Sequence, residues 1–159
     1  MRFGMGWWGN KASAGQERLV VNGCFQTTMD TTASQRLLTI ALPSYASVTD
    51  QGAAMLLHVK RGTLEVVVTV PRSVREWFVD ASDVESGARA ADWCDYDGYD
   101  ISDIERRDLD MAEDVLDFVN CLLSRELKLE KTRGRAKLLW KVSDVWEQAV
   151  PFWTGSRAA

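Results

Sequence analysis

The sequence predicts an α+β fold: a small, mainly antiparallel sheet, made of a meander and a C-terminal hairpin, packed against one long amphipathic helix. Three observations predict it. Between Thr63 and Tyr96 apolar residues recur at every second position, the period of a half-buried strand. Between Ser102 and Leu123 they recur at steps of three and four, the period of a helix face. Beyond that stretch the two-residue period returns on both sides of Arg133-Gly134.

Taken in order, residues 1–17 are rich in Gly, Ser, Ala and Asn and carry no period, which predicts a poorly ordered arm. Arg18 to Val21 reads as a short strand. The run Leu37-Leu38-Thr39-Ile40-Ala41-Leu42 is too short to type by its period, and Pro43 stops it. Thr49 or Asp50 stands where a helix cap would, which predicts a short helix through Lys60 ending at Arg61-Gly62; a strand over Met55 to Val59 competes with it. Thr63 to Val70 is the clearest strand, because Leu64, Val66, Val68 and Val70 share one face and β-branched residues dominate. Glu76 to Ser82 alternates again, and Glu85-Ser86-Gly87 turns the chain into Ala90 to Tyr96, completing a three-stranded meander. On alternation, Trp93 faces the core with Ala91.

The long helix starts at Ser102, which stands at capping-box spacing from Glu105, or at Asp108. Its stripe is Leu109, Ala112, Leu116, Val119 and Leu123, with acids in its first turns and Arg125 and Lys128 beyond its end, the order that the helix dipole favours. The hairpin that follows carries a basic outer face. Val145 to Val150 reads as a last helical turn broken by Pro151, and 154–159 as a fraying tail, so 18–153 is expected to be one domain.

Composition narrows the function. A chain of 159 residues that is 46% hydrophobic can bury a core without staples. Cys24, Cys94 and Cys121 are odd in number and widely spaced, which predicts reduced thiols and a cytoplasmic protein rather than a disulfide framework. No apolar run reaches the ~18 residues of a membrane span, and the N-terminus does not read as a signal peptide. The formal net charge of -4 hides a separation of sign. Residues 80–117 hold fourteen acids and three arginines, whereas 125–141 hold seven bases and two acids. Charge separated in this way steers a partner or is satisfied internally.

Several motifs fail on context. Gly4-Met5-Gly6-Trp7-Trp8-Gly9 matches a dinucleotide fingerprint by letters, but only three residues precede it and no helical pattern follows. Asp95, Asp97, Asp100 and Asp103 invite a calcium loop, yet with Gly98 at the glycine position the first and last ligand positions fall on Trp93 and Ile104, which offer no side-chain oxygen. His58, the single histidine, has apolar neighbours and reads as structural, although a Cys94 nucleophile with His58 as base is conceivable. The bases of the hairpin suit phosphates, but the acidic balance argues against nucleic acid as partner; if nucleic acid matters, the expectation is mimicry of it, carboxylates standing where phosphates would. No cofactor is implied.

What remains is the interleaved stretch Ala91 to Asp103, where aromatics supply rigid contact area and acids supply charge selectivity. The expected binding residues are Asp95, Tyr96, Asp97, Tyr99, Asp100 and Asp103. The expected function is a small acidic binding or inhibitory protein that masks a cationic surface of a protein partner. Immunity proteins and phage-encoded inhibitors act this way, a parallel of class that rests on size, acidity and the lack of a catalytic signature. The alternative is an enzyme with a carboxylate site at residues 92–108, metal-assisted or not, in which two acids divide the roles of acid and base.

Overall fold

The computed structural model describes residues 28–96 and 103–149. The arm over 1–17, the strand expected at Arg18 to Val21, the tail over 154–159 and the site residues Asp97, Tyr99 and Asp100 lie outside that range. The described elements are α1 (Thr28–Thr39), β1 (Ala46–Asp50), β2 (Ala54–Arg61), β3 (Leu64–Pro71), β4 (Glu76–Asp83), β5 (Ala88–Asp95), α2 (Ile104–Ser124), β6 (Leu127–Thr132), β7 (Arg135–Val142) and β8 (Val145–Gln148). This is the expected α+β architecture. Strands β1 to β5 form one antiparallel sheet in sequential order, and β6 to β8 form a second, three-stranded one.

Alternation fixes which face of the large sheet is buried. Met55, Leu57 and Val59 of β2, Val66, Val68 and Val70 of β3, Trp77, Val79 and Ala81 of β4 and Cys94 of β5 all point inward. Helix α2, α1 beside it and the small sheet along β5 cover that face. Three rings join these parts: Trp77 of β4 meets Phe118 of α2 edge-on at 5.1 Å between centroids, and Phe118 meets Trp140 of β7 at 5.4 Å. The core is therefore one continuous cluster reaching from Leu37 of α1 to Leu138 of β7.

Helix α2 is anchored at both ends. Asp103 is its N-cap, the carboxylate accepting from the backbone N–H of Glu105 at 3.0 Å and of Arg106 at 3.3 Å, which satisfies donors that the first turn leaves open. The cap is thus one residue later than the serine expected. At the C-terminus no base lies in the last turn of the helix itself, so the partner of the dipole comes from the sheet. Arg61 of β2 donates to the carbonyls of Leu123 and Arg125 and to the Tyr45 hydroxyl, whose own proton goes to the Leu123 carbonyl at 2.6 Å. The Arg61 guanidinium also lies over the Tyr45 ring, 4.4 Å from its centroid.

Four expectations are corrected. The helix from Thr49 to Lys60 is two strands. Asp50 has the chemistry of a cap, but its carboxylate accepts from the Gly52 N–H at 2.8 Å and makes a two-residue turn instead. Gly52, at φ +76°, then starts the chain into β2, so the competing strand reading holds. The last helical turn is β8, because Ser143 and Asp144 form a tight turn that pairs Val145 with Val142. Of the expected stripe of α2, Ala112 and Val119 are buried, while Leu109 is exposed and Leu116 and Leu123 are half-buried; the centre of the buried face is Met111, Val115, Phe118 and Leu122. Both stripes have helical spacing and lie one residue apart. The observed one puts Phe118 between the two tryptophans and keeps Asp110, Glu113 and Asp117 off the core. Finally, Trp93 is 55% exposed. Residues 90–94 carry an alanine for each face, so the phase there is set by Cys94, which enters the core against Trp77.

Between β6 and β7 the expected turn is present. Arg133 and Gly134 have φ of 51° and 84°, the mirror-image turn that matches the twist of a two-residue hairpin.

Candidate functional site: an acidic groove on the long helix

With its apolar stripe committed to the core, α2 presents Glu105, Arg106, Leu109, Glu113, Asp117 and Asn120 to solvent. Along its N-terminal half lies an open groove lined by Asp103, Glu105, Arg106, Leu109, Asp110 and Glu113, four carboxylates against one guanidinium. Arg106 leans toward Asp110, one turn on, at 3.9 Å, too long for a strong ion pair, and it is well exposed to water. Leu109 stands in the middle, 49% exposed, with Ile104 exposed near the start of the helix. A concave acidic surface with an apolar centre offers a cation both charge and a contact that excludes water.

The groove is held in place by a buried pair. Arg75, in the connection between β3 and β4, donates from Nε to the Asp108 carboxylate at 2.6 Å, with the side chains only 15% and 5% exposed. The carbonyl of Arg75 accepts from the Tyr96 N–H at 2.9 Å. This connection therefore ties the end of β5 to the second turn of α2, on either side of residues 97–102.

Of the residues expected to form a site, the structure describes Asp95, Tyr96 and Asp103, each in a different setting. Tyr96 is 3% exposed and is a core residue: its ring packs in the cluster and its hydroxyl donates to the Asp114 carboxylate. Burial and then the hydrogen bond to Asp114 drive its ionisation far above the ordinary range for a tyrosine. It is no exposed anchor. Asp95 lies on the outer face of the sheet opposite Glu76, away from Tyr96, and Asp103 caps α2. The sequence missed Glu105, Leu109, Asp110 and Glu113, although their spacing of three and four residues is the signal of a shared helix face.

The pairing of Cys94 with His58 is excluded by the sheet. His58 is on the outer face in register with Val67, and Cys94 is on the inner one beside Trp77. Burial pushes the Cys94 thiol from an ordinary 9.0 up to about 12, the Tyr96 hydroxyl opposing that rise and Asp114 adding to it. The thiolate that a nucleophile needs is therefore scarce at neutral pH. The same rise affects stability. Above about pH 9 the unfolded chain gives up a proton that the folded chain keeps, so the contribution of Cys94 to stability is complete below that pH and is lost as pH rises toward 12. Urea midpoints are expected to fall between pH 9 and 10, and more gently in Cys94→Ala, which retains the parts due to Tyr96 and Cys121. Equal slopes in the two proteins would show that the thiol is not held neutral by the fold.

A second, smaller concavity of about 170 Å³ lies where α2 meets β7, floored by Phe118 and Trp140 and rimmed by Asp117, Asn120 and Cys121. Burial raises the Cys121 thiol as well, with nearby Arg125 opposing it. Among the described residues no group of three or more His, Cys, Asp or Glu side chains is placed to hold a metal ion, and no helix is long and apolar enough to cross a membrane.

Fold and groove together define the class: an α+β protein whose long helix lays an acidic concavity beside the end of an antiparallel sheet. No protein family, curated protein or solved structure matches the chain.

Proposed function

We propose that this chain is a small cytoplasmic binding or inhibitory protein that masks a cationic surface of a protein partner, and that the groove on α2 is where it does so. The observation that carries the reading is the exposed Leu109 ringed by Glu105, Asp110 and Glu113. Carboxylates at the rim select and steer a basic partner, and an apolar centre slows its departure. Asp103 adds to the same negative field while capping the helix. Neutralising toxins or host enzymes that carry basic grooves is work suited to such a surface. Free Cys94 and Cys121 accord with a reducing compartment.

The test is an affinity capture with the wild type and with a Glu105→Ala/Asp110→Ala/Glu113→Ala variant, followed by association kinetics with the protein recovered. The variant is expected to lose that partner. The wild-type association rate is expected to fall by about tenfold or more as salt is raised from low to physiological strength. Equal recovery by both proteins, or a salt-independent rate, would overturn the reading.

A further inference from the structure

The outer face of the five-stranded sheet carries a row of side chains that a solvated face does not need: Leu56, Thr69 and Phe78, half-buried, and Trp93, 55% exposed, stand in register across β2 to β5. α1, α2 and the small sheet pack on the opposite face. Charge is unevenly placed around this row. Glu76 and Asp95 are paired at one end of β4 and β5, and Arg89 lies on the same face of β5 toward the other end. Among the described residues Arg89 has no ion-pair partner.

We propose that this face pairs with the same face of a second copy of the chain, about a two-fold axis that lies between the sheets and across the strands. Such an axis lays β5 over β5 of the partner and reverses its direction. With the axis passing between Ala91 and Trp93, four contacts follow from the register alone. Arg89 meets the partner's Asp95, and Ala91 meets the partner's Trp93, each twice by symmetry. A small side chain thus faces the large ring, and the basic end of the strand faces the acidic end. Along β5 the face is self-complementary in shape and in sign, while on β4 the same axis sets Asp80 over the partner's Phe78.

The area suffices. Four strands of eight residues and β1 of five, about 4.8 Å apart at a rise of ~3.3 Å per residue, give about 600 Å² per copy, or about 1,200 Å² in all, the lower bound of specific interfaces.

Sedimentation of the full chain over roughly 1 to 100 μM, the range in which an interface of this size associates, tests the proposal. The wild type is expected to form a dimer and Trp93→Glu a monomer. Arg89→Asp and Asp95→Arg are each expected to weaken association by about tenfold, and the double exchange to restore it, because each copy then carries the opposite pair. A monomeric wild type, the result expected if another protein or residues 1–27 of the same chain cover this face, would overturn the proposal. So would a dimer indifferent to Trp93→Glu, or a double exchange no better than the single ones. If Trp93→Glu does not fold, as judged by circular dichroism, the charge-exchange set decides.

Discussion

Replacing Phe118 with alanine is expected to lower the unfolding free energy by about 3 to 5 kcal/mol, the range for truncating a fully buried aromatic residue. The upper part of that range is expected because the ring does more than fill space. Among the described residues Phe118 is the one ring that touches both Trp77 and Trp140, so its loss opens a void where the large sheet, α2 and the small sheet meet. Each edge-on or tilted ring pair adds about 0.5 to 1.5 kcal/mol beyond burial, and both pairs are lost at once. Phe118→Leu keeps most of the volume but neither ring contact, and is expected to cost about 1.5 kcal/mol. Urea unfolding checks both values. Against a total stability of about 5 to 15 kcal/mol, the alanine variant is expected to be largely unfolded above room temperature if the protein lies at the lower end. A cost below ~2 kcal/mol would mean that the three units do not share one core.

The sequence shows clearly where local pattern and tertiary context agree. β3 and β4 alternate without ambiguity because Val66, Val68, Val79 and Ala81 can satisfy only one face, and Arg133-Gly134 admits one tight hairpin. The long helix is legible for the same reason, though its exact buried stripe is not. Leu109, Leu116 and Leu123 compete with Met111, Val115, Phe118 and Leu122 at equal spacing, and the choice depends on where Trp77 and Trp140 wait for Phe118.

The site was harder to read for a related reason. Tyr96 among aspartates looks like an exposed anchor until Asp114, eighteen residues on, accepts a hydrogen bond from its hydroxyl. Trp93 looks like core until Trp77 of β4 takes Cys94 as its inner neighbour and turns Trp93 outward. In each case the deciding partner belongs to another element. The acidity itself was legible, and among the described residues the exposed side of α2 gathers Glu105, Asp110 and Glu113.

The second large effect is expected at Asp108. The acidic composition of α2 suggests that any one carboxylate there is dispensable, and for Glu105 or Glu113 on the open side the expected change is within about 0.5 kcal/mol. Asp108 differs because its carboxylate is buried against the Arg75 guanidinium. Removing the carboxylate takes from a poorly solvated guanidinium the acceptor it holds at 2.6 Å, so Asp108→Ala is expected to cost about 3 kcal/mol. Asp108→Asn, which keeps an acceptor but no charge, is expected to fall about halfway. The pair itself need not be worth that much, since desolvating both ions costs about what their attraction returns. Replacing both, as in Arg75→Met/Asp108→Leu, is therefore expected to cost less than Asp108→Ala alone. A double-mutant cycle built on Arg75→Met and Asp108→Leu, measured by urea unfolding, gives the coupling directly, and about 2 kcal/mol is expected. Additive costs would place the effect of Asp108 in helix packing rather than in the tie to Arg75. In that case the connection between β3 and β4 would not be what positions the groove, and Arg75→Met would leave partner association unchanged.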